Sequence, residues 1–468
     1  MALLIRNGRI ITATDDCRAD VYCADERITR IEASIDPESC APGTEIVDAS
    51  GKFVFPGFID PHVHVYLPFM GTFAKDTWET ASRAALVGGT TTLIEMICPG
   101  KQDSPLDAFE TWLGKARGVS ACDYTFHMGV TRFDPEAEKQ FREIVRRGIT
   151  SFKVFLAYKG ALGVDDRELY HTLRLARELG VVVTAHCENE TLVDERQKEL
   201  LAAGRIGPEW HEPSRPVQVE AEGVHHLMTF AELTGAEVYV VHTSCAEAVR
   251  EAQCGLARGV LAHIEVVLPH LVLDRTHAEK PGFEGAKYVM SPPLRDKHQL
   301  QAMWSFLASR TVSTVATDHA PFDFESQKIM GKDAFTKIPN GIPSIEHRVD
   351  LLYTHGVCTG RIDLHTFVDA ASTRAARIFG LNGKGTIAVG ADADLVVYDP
   401  DYRGTISAKT HRMATDYSAF EGWEVKGRAS VVTVRGAVMV RDGSFVGKMG
   451  HGRLVPRTAA GVNPALRR

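Results

Sequence analysis

The chain contains no CxxC pair, and its nine cysteines among 468 residues make an odd count. That argues against a disulfide framework and predicts a reduced, cytoplasmic compartment. A run of five or six like charges is also missing, with 60 acidic against 53 basic side chains leaving a net charge of −7. Without a basic patch, neither nucleic acid nor an anionic membrane is an expected partner. No apolar stretch reaches the roughly 20 residues that span a bilayer. The opening "MALLIRNGRIITATDD" is interrupted at Arg6, so no signal or transit peptide is expected there. There is no GxGxxG turn, and "NGKGT" at 382–386 lacks the Walker spacing, which argues against a doubly wound nucleotide-binding sheet.

What is present is apolar and periodic. Hydrophobic side chains make up 44% of the chain, enough for a large core. Near both ends, short apolar segments alternate with turns, as in "LLIRNGRII", "ASVVTVRGAVMVRDGSFV" and "GKMGHGRLV", and Asn7-Gly8 carries a hairpin signal. Residues 1–55 and 385–456 are expected to pair into one small β-sandwich, leaving 457–468 as a tail, frayed or laid on a neighbour. Over 56–384, eight apolar runs of strand length alternate with amphipathic stretches such as "DDRELYHTLRLARELG". This α/β alternation predicts a (β/α)8 TIM barrel.

Chemistry in such barrels sits at the C-terminal ends of the strands. In "FVFPGFIDPHVHVYLPFMG" the first run ends in His62 and His64, which share one face of a strand and can grip one ion. Taken alone, the pair also reads as histidines packed or solvated at a strand end. Strand four adds Lys153, strand five His186, strand six His242 and strand eight Asp318. His186 or His242 alone could be a core histidine, and Asp318 a loop cap. Their placement at the ends of five strands points instead to one metal-competent rim. Lys153 alternates with Phe152 and Val154 and so faces the barrel axis, where an ammonium is costly to bury. A neutral amine there could add carbon dioxide and become a two-oxygen carbamate ligand. Cys187 beside His186 is expected on the opposite face, as packing.

These residues resemble the binuclear cyclic amidohydrolases, and most nearly the dihydropyrimidinases and hydantoinases. The resemblance runs from "PGFIDPHVH" through "GGTTTLIEM", "SFKVFLAYKG", "TAHCEN", "SPPLR" and "PNGIPSIEHRVDLLYTHGV" to "GADADLVVYDP". It implies two divalent metal ions per subunit, usually zinc. His62, His64 and Asp318 would bind the more buried ion, His186 and His242 the more exposed one, and a carbamate on Lys153 both. It further implies that a bridging hydroxide opens a small cyclic amide or imide, giving an N-carbamoyl amino acid. Asp318 would carry the proton, Tyr158 would hold the oxyanion, and backbone groups at Ser291 and Asn340 would bind the ring. A homotetramer is the implied assembly, with Phe420 and Trp423 as candidates for burial at its contacts.

The chain departs from the family pattern in "HCENE", where alanine more often follows the histidine and glycine ends the motif. Allantoinase or dihydroorotase is the alternative activity, and some relatives without metal ligands are cytoskeletal assembly proteins. Dihydroorotases usually carry an arginine just after HxH. Here "VYLPFMGTF" instead offers Tyr66, Leu67, Phe69, Met70 and Phe73, an apolar wall suited to an uncharged ring.

Overall fold

The computed structural model describes residues 2–459. Eight parallel strands form the barrel: Phe58–Val63, Thr90–Ile97, Asp123–Gly129, Ser151–Phe155, Val182–His186, Val238–Val240, Ala262–Val267 and Thr314–Ala316. They are the eight expected runs in the expected order. Most of their side chains are buried on both faces, which is why the runs read as continuous apolar stretches rather than alternating ones. Helices such as Asp166–Leu179, capped by Asp165 at its start and Gly180 at its end, cover the outside.

The barrel closes between its first and last strands. Asp318 N donates to His62 O at 3.0 Å and His64 N to His319 O at 2.8 Å. Closure therefore brings the HxH pair and Asp318 to one seam.

The chain ends share a second, nine-stranded sheet. Its strand Phe53–Pro56 runs between Leu3–Ile11 and Leu395–Thr405, so the two ends are interleaved as expected. Leu3, Ile5, Val21, Ile28, Val54 and Val397 belong to a core of its own.

Four local expectations are corrected. Asn7-Gly8 is a bulge inside Leu3–Ile11 rather than a hairpin turn. Asn7 takes φ 63° there, with its amide on Asp20 Oδ1 and its side chain on Asp48 Oδ1. "GKMGHGRLV" forms no strand beyond a single bridge from Leu454 to Tyr124, because it crosses the barrel floor rather than joining the sheet. The floor also captures the start of the expected tail: buried Arg457 donates to Phe126 O and, at 2.9 Å, to Ser151 Oγ. Residues 460–468 lie outside the described residues. Phe420, proposed above for a subunit contact, is already buried in its own chain, where it packs 5.6 Å from the half-buried Trp423.

Barrel and sheet are joined by a buried ionic knot. Lys384 Nζ lies 2.6 Å from Asp123 Oδ2 on barrel strand three, 2.7 Å from Asp394 Oδ2 and 2.9 Å from Asp392 Oδ2. Arg435 pairs with the other oxygen of Asp123. The three carboxylates are close enough together to suggest a cation site, but the lysine already fills that role. Removing one partner from a buried ion pair leaves an uncompensated charge, at a cost of about 3–5 kcal/mol. Lys384→Met is expected to lower unfolding free energy by about that amount, read from the urea midpoint with metal occupancy held constant.

Candidate metal centre

The rim cavity is lined by His62, His64, Lys153, His186, His242 and Asp318, all nearly inaccessible to solvent. The structure therefore brings together the six side chains singled out as metal ligands. His62 Nε2 and His64 Nε2 each lie 3.2 Å from Asp318 Oδ1. Across the rim, His186 Nδ1 faces His242 Nε2 at 2.8 Å. The rings of His62 and His242 are 5.4 Å apart, so the two groups are neighbours. Asp318 and His242 have left-handed backbones, φ 50° and 39°, a costly conformation that aims their side chains inward.

Protonation follows from the partners. His62 Nδ1 lies 2.7 Å from Glu265 Oε1, which places its proton there and leaves a lone pair on Nε2. His186 Nε2 lies 2.8 Å from Glu188 Oε2. Burial would raise the Glu188 carboxyl, but Arg215 and His186 outweigh it and hold it at about 2. His186 thus donates through Nε2 and points the lone pair of Nδ1 at His242. Burial drives His62, His186 and His242 below the ordinary histidine range, so all three favour the neutral form. It would raise Asp318 too, yet His62, His64 and Lys153 hold that carboxyl at about 2.

Several buried atoms in this rim lack a hydrogen-bond partner among the described residues, including His62 Nε2, His242 Nδ1 and Lys153 Nζ. Burial lowers the Lys153 ammonium to about 8, against the pull of Asp318 and Glu265. Neutral imidazoles, an ionised carboxylate and an orphaned amine around one cavity fit divalent cations.

Tyr158, Ser291 and Asn340 line the same cavity. Asn340 Nδ2 donates to Ser291 Oγ at 3.0 Å and approaches the Tyr158 hydroxyl at 3.4 Å. Tyr158 has φ 62°, and its amide donates to Glu190 Oε2 at 2.5 Å. Glu190 occupies the end of "HCENE", so this departure from the family pattern ties down the Tyr158 loop. Cys187 packs as expected, its thiol on Ala185 O at 3.4 Å.

The apolar wall is smaller than expected. Leu67 and Phe69 line the cavity, whereas Met70 borders a neighbouring cleft with Tyr158 and Asn340. Tyr66 turns away to pack on Trp112, and Phe73 is 54% exposed.

Sequence reasoning missed the carboxylates behind His62 and His186. Glu265 binds His62, accepts from His242 N at 2.8 Å and from the Tyr239 hydroxyl at 2.8 Å. Its signal was a charged residue inside the apolar run "VLAHIEVVL". Glu188, held by Arg215, was visible only as part of "HCENE".

Comparison with known proteins agrees with this geometry. The amidohydrolase family profile matches residues 53–439. A solved D-hydantoinase (dihydropyrimidinase) from Thermus sp. is 61% identical with a TM-score of 0.95, covering 98% of this chain and 99% of that one. A solved dihydropyrimidinase from Brevibacillus agri is 43% identical with a TM-score of 0.96, again covering 98% and 99%. The D-hydantoinase of Geobacillus stearothermophilus is 45% identical over 464 residues, 99% of this chain and 98% of that protein. The chain therefore belongs to the amidohydrolase family, and within it to the hydantoinases and dihydropyrimidinases.

Proposed function

We propose that this protein hydrolyses the cyclic amide bond of dihydropyrimidines or 5-substituted hydantoins to N-carbamoyl amino acids. The observation that carries the reading is the convergence of four histidines, Asp318 and an unpartnered buried lysine on one rim. The relatives' names, D-hydantoinase and dihydropyrimidinase, support it. His62, His64 and Asp318 would hold the deeper of two zinc ions, His186 and His242 the outer one, and Lys153, as its carbamate, both. When bound, such a pair of cations activates water and polarises a carbonyl.

The chain's own groups supply the remainder. Asp318, ionised and beside the ligands, accepts the proton of the attacking water and passes it to the leaving ring nitrogen. The Tyr158 hydroxyl donates to the oxygen on which negative charge develops. Backbone groups at Ser291 and Asn340 bind the ureido edge, while Leu67 and Phe69 exclude water.

The Lys153 amine, drawn down toward 8, has an accessible neutral fraction at working pH. Adding carbon dioxide forms an N–C bond and releases one proton, leaving an anionic bridging ligand. Loss of an outer-shell partner costs about 10–100-fold in metal affinity or activity, so loss of a shared ligand should exceed that range. Lys153→Ala is expected to lose both metals and more than about 100-fold in activity. Metal analysis per chain and intact mass of the active protein check it, and an unmodified Lys153 in active enzyme would overturn the carbamate.

Substrate charge follows from the lining. Lys153 is its one cationic side chain among the described residues, and 65–73 contributes no Arg or Lys. A ring carboxylate would lose its hydration without a partner, whereas one buried apolar substituent gains roughly 1.5–3 kcal/mol. Neutral dihydropyrimidines and 5-substituted hydantoins should therefore show the highest kcat/KM, and dihydroorotate a poor one. Preference for dihydroorotate in a panel that also includes allantoin would refute this specificity.

A cytoplasmic homotetramer completes the reading. All nine cysteines are free, in keeping with a reduced compartment, and no described helix is long and apolar enough to cross a membrane. With Phe420 buried internally, the contacts must come from other surfaces. Light scattering is expected to give the mass of four chains, and a mass of one chain refutes the assembly.

A further inference from the structure

Lys328 is fully buried, yet no carboxylate lies within ion-pair distance of it among the described residues. Its Nζ donates to Val289 O at 2.8 Å and Gly341 O at 2.7 Å. These carbonyls belong to the two loops that carry Ser291 and Asn340. Gly341 N also donates to Val289 O at 2.9 Å, so the loops cross at the lysine. Gly341 has φ 151°, and a Cβ there would collide with the Ala320 carbonyl. The crossing is thereby pressed against the segment that follows Asp318.

The neighbouring carbonyls are held in the same way. His211 Nε2 lies 2.8 Å from Met290 O, and His270 Nε2 lies 3.1 Å from Pro292 O. Burial keeps both imidazoles neutral, at about 3 and about 4, so each donates through Nε2–H. Carbonyls 289, 290 and 292 are therefore occupied by buried donors. Between them, the Ser291 carbonyl accepts no hydrogen bond from the described residues. A buried backbone group left free in an otherwise satisfied turn is available to a ligand.

We propose that Lys328 is a positioning residue for ring recognition, bridging the two loops so that the Ser291 and Asn340 backbone groups face one substrate at a fixed separation. This rests on the functional reading above, in which those groups bind the ureido edge. Lys328 touches neither the metal ligands nor the ring, so its loss should weaken binding more than chemistry.

The test uses the metal-loaded full chain, with Lys328→Met removing the donors and Lys328→Gln retaining an amide donor. Dihydrouracil and a 5-substituted hydantoin are the substrates. For Lys328→Met, KM is expected to rise at least about tenfold, the scale of one to two lost hydrogen bonds. Its kcat should change less than about threefold, with two metals retained, and Lys328→Gln should fall between it and wild type. An unchanged KM in both variants overturns the proposal, as does a fall in kcat and metal content at constant KM. Failure of both variants to fold also overturns it, since the lysine would then serve folding. If the wild-type chain opens none of the rings, the functional reading falls and takes this proposal with it.

Discussion

Closure of the barrel between its first and last strands is the constraint on which the site depends. The two hydrogen bonds of that seam run between residues 62 and 318 and between 64 and 319. A slip of one residue would turn inward-facing side chains outward. The backbone contacts that complete the barrel therefore also set the approach of His62 and His64 to Asp318. Stability and the geometry of the rim share these hydrogen bonds, so a change at the seam acts on both.

Desolvation then divides the rim by chemical type. The same burial that lowers an imidazole or an amine raises a carboxyl, and left unopposed it would make every group neutral. Asp318 escapes because His62, His64 and Lys153 surround it, and Glu188 escapes because Arg215 lies 2.5 Å away. Glu265 is pushed up to about 8, because burial outweighs the hydrogen bonds from His242 N and Tyr239. The result is one ionised carboxylate facing neutral nitrogens, with Glu188 and Glu265 behind them fixing which nitrogen carries the proton.

What could be read from the sequence is what local pattern encodes. The eight strands appeared as apolar runs, and the six residues that share the rim cavity followed from counting residues to the strand ends. Glu265 was hidden because its partner His62 is 203 residues away, and strand parity says which way a carboxylate faces but not what it meets. Asn7-Gly8 misled because Asn tolerates a left-handed backbone in a bulge as readily as in a turn. Arg457 was unreadable for a similar reason: a short polar segment looks frayed unless the unpaired groups of the barrel floor beneath it are known.

Three buried lysines show why burial alone assigns no role. Lys384 meets three carboxylates, which raise its pKa against desolvation and keep it a permanent cation joining two parts of the fold. Among the described residues Lys328 hydrogen-bonds only to backbone carbonyls, and burial holds its pKa well below the ordinary value. Carbonyls ask only for N–H donors, which an amine supplies whether or not it is charged, so geometry rather than charge is what this lysine contributes. Lys153 meets no hydrogen-bond partner among the described residues and is lowered to about 8. Of the three it alone combines an accessible neutral form with a place in a cavity lined by four histidines and an aspartate. The difference depends on what each lysine faces rather than on how deeply it is buried.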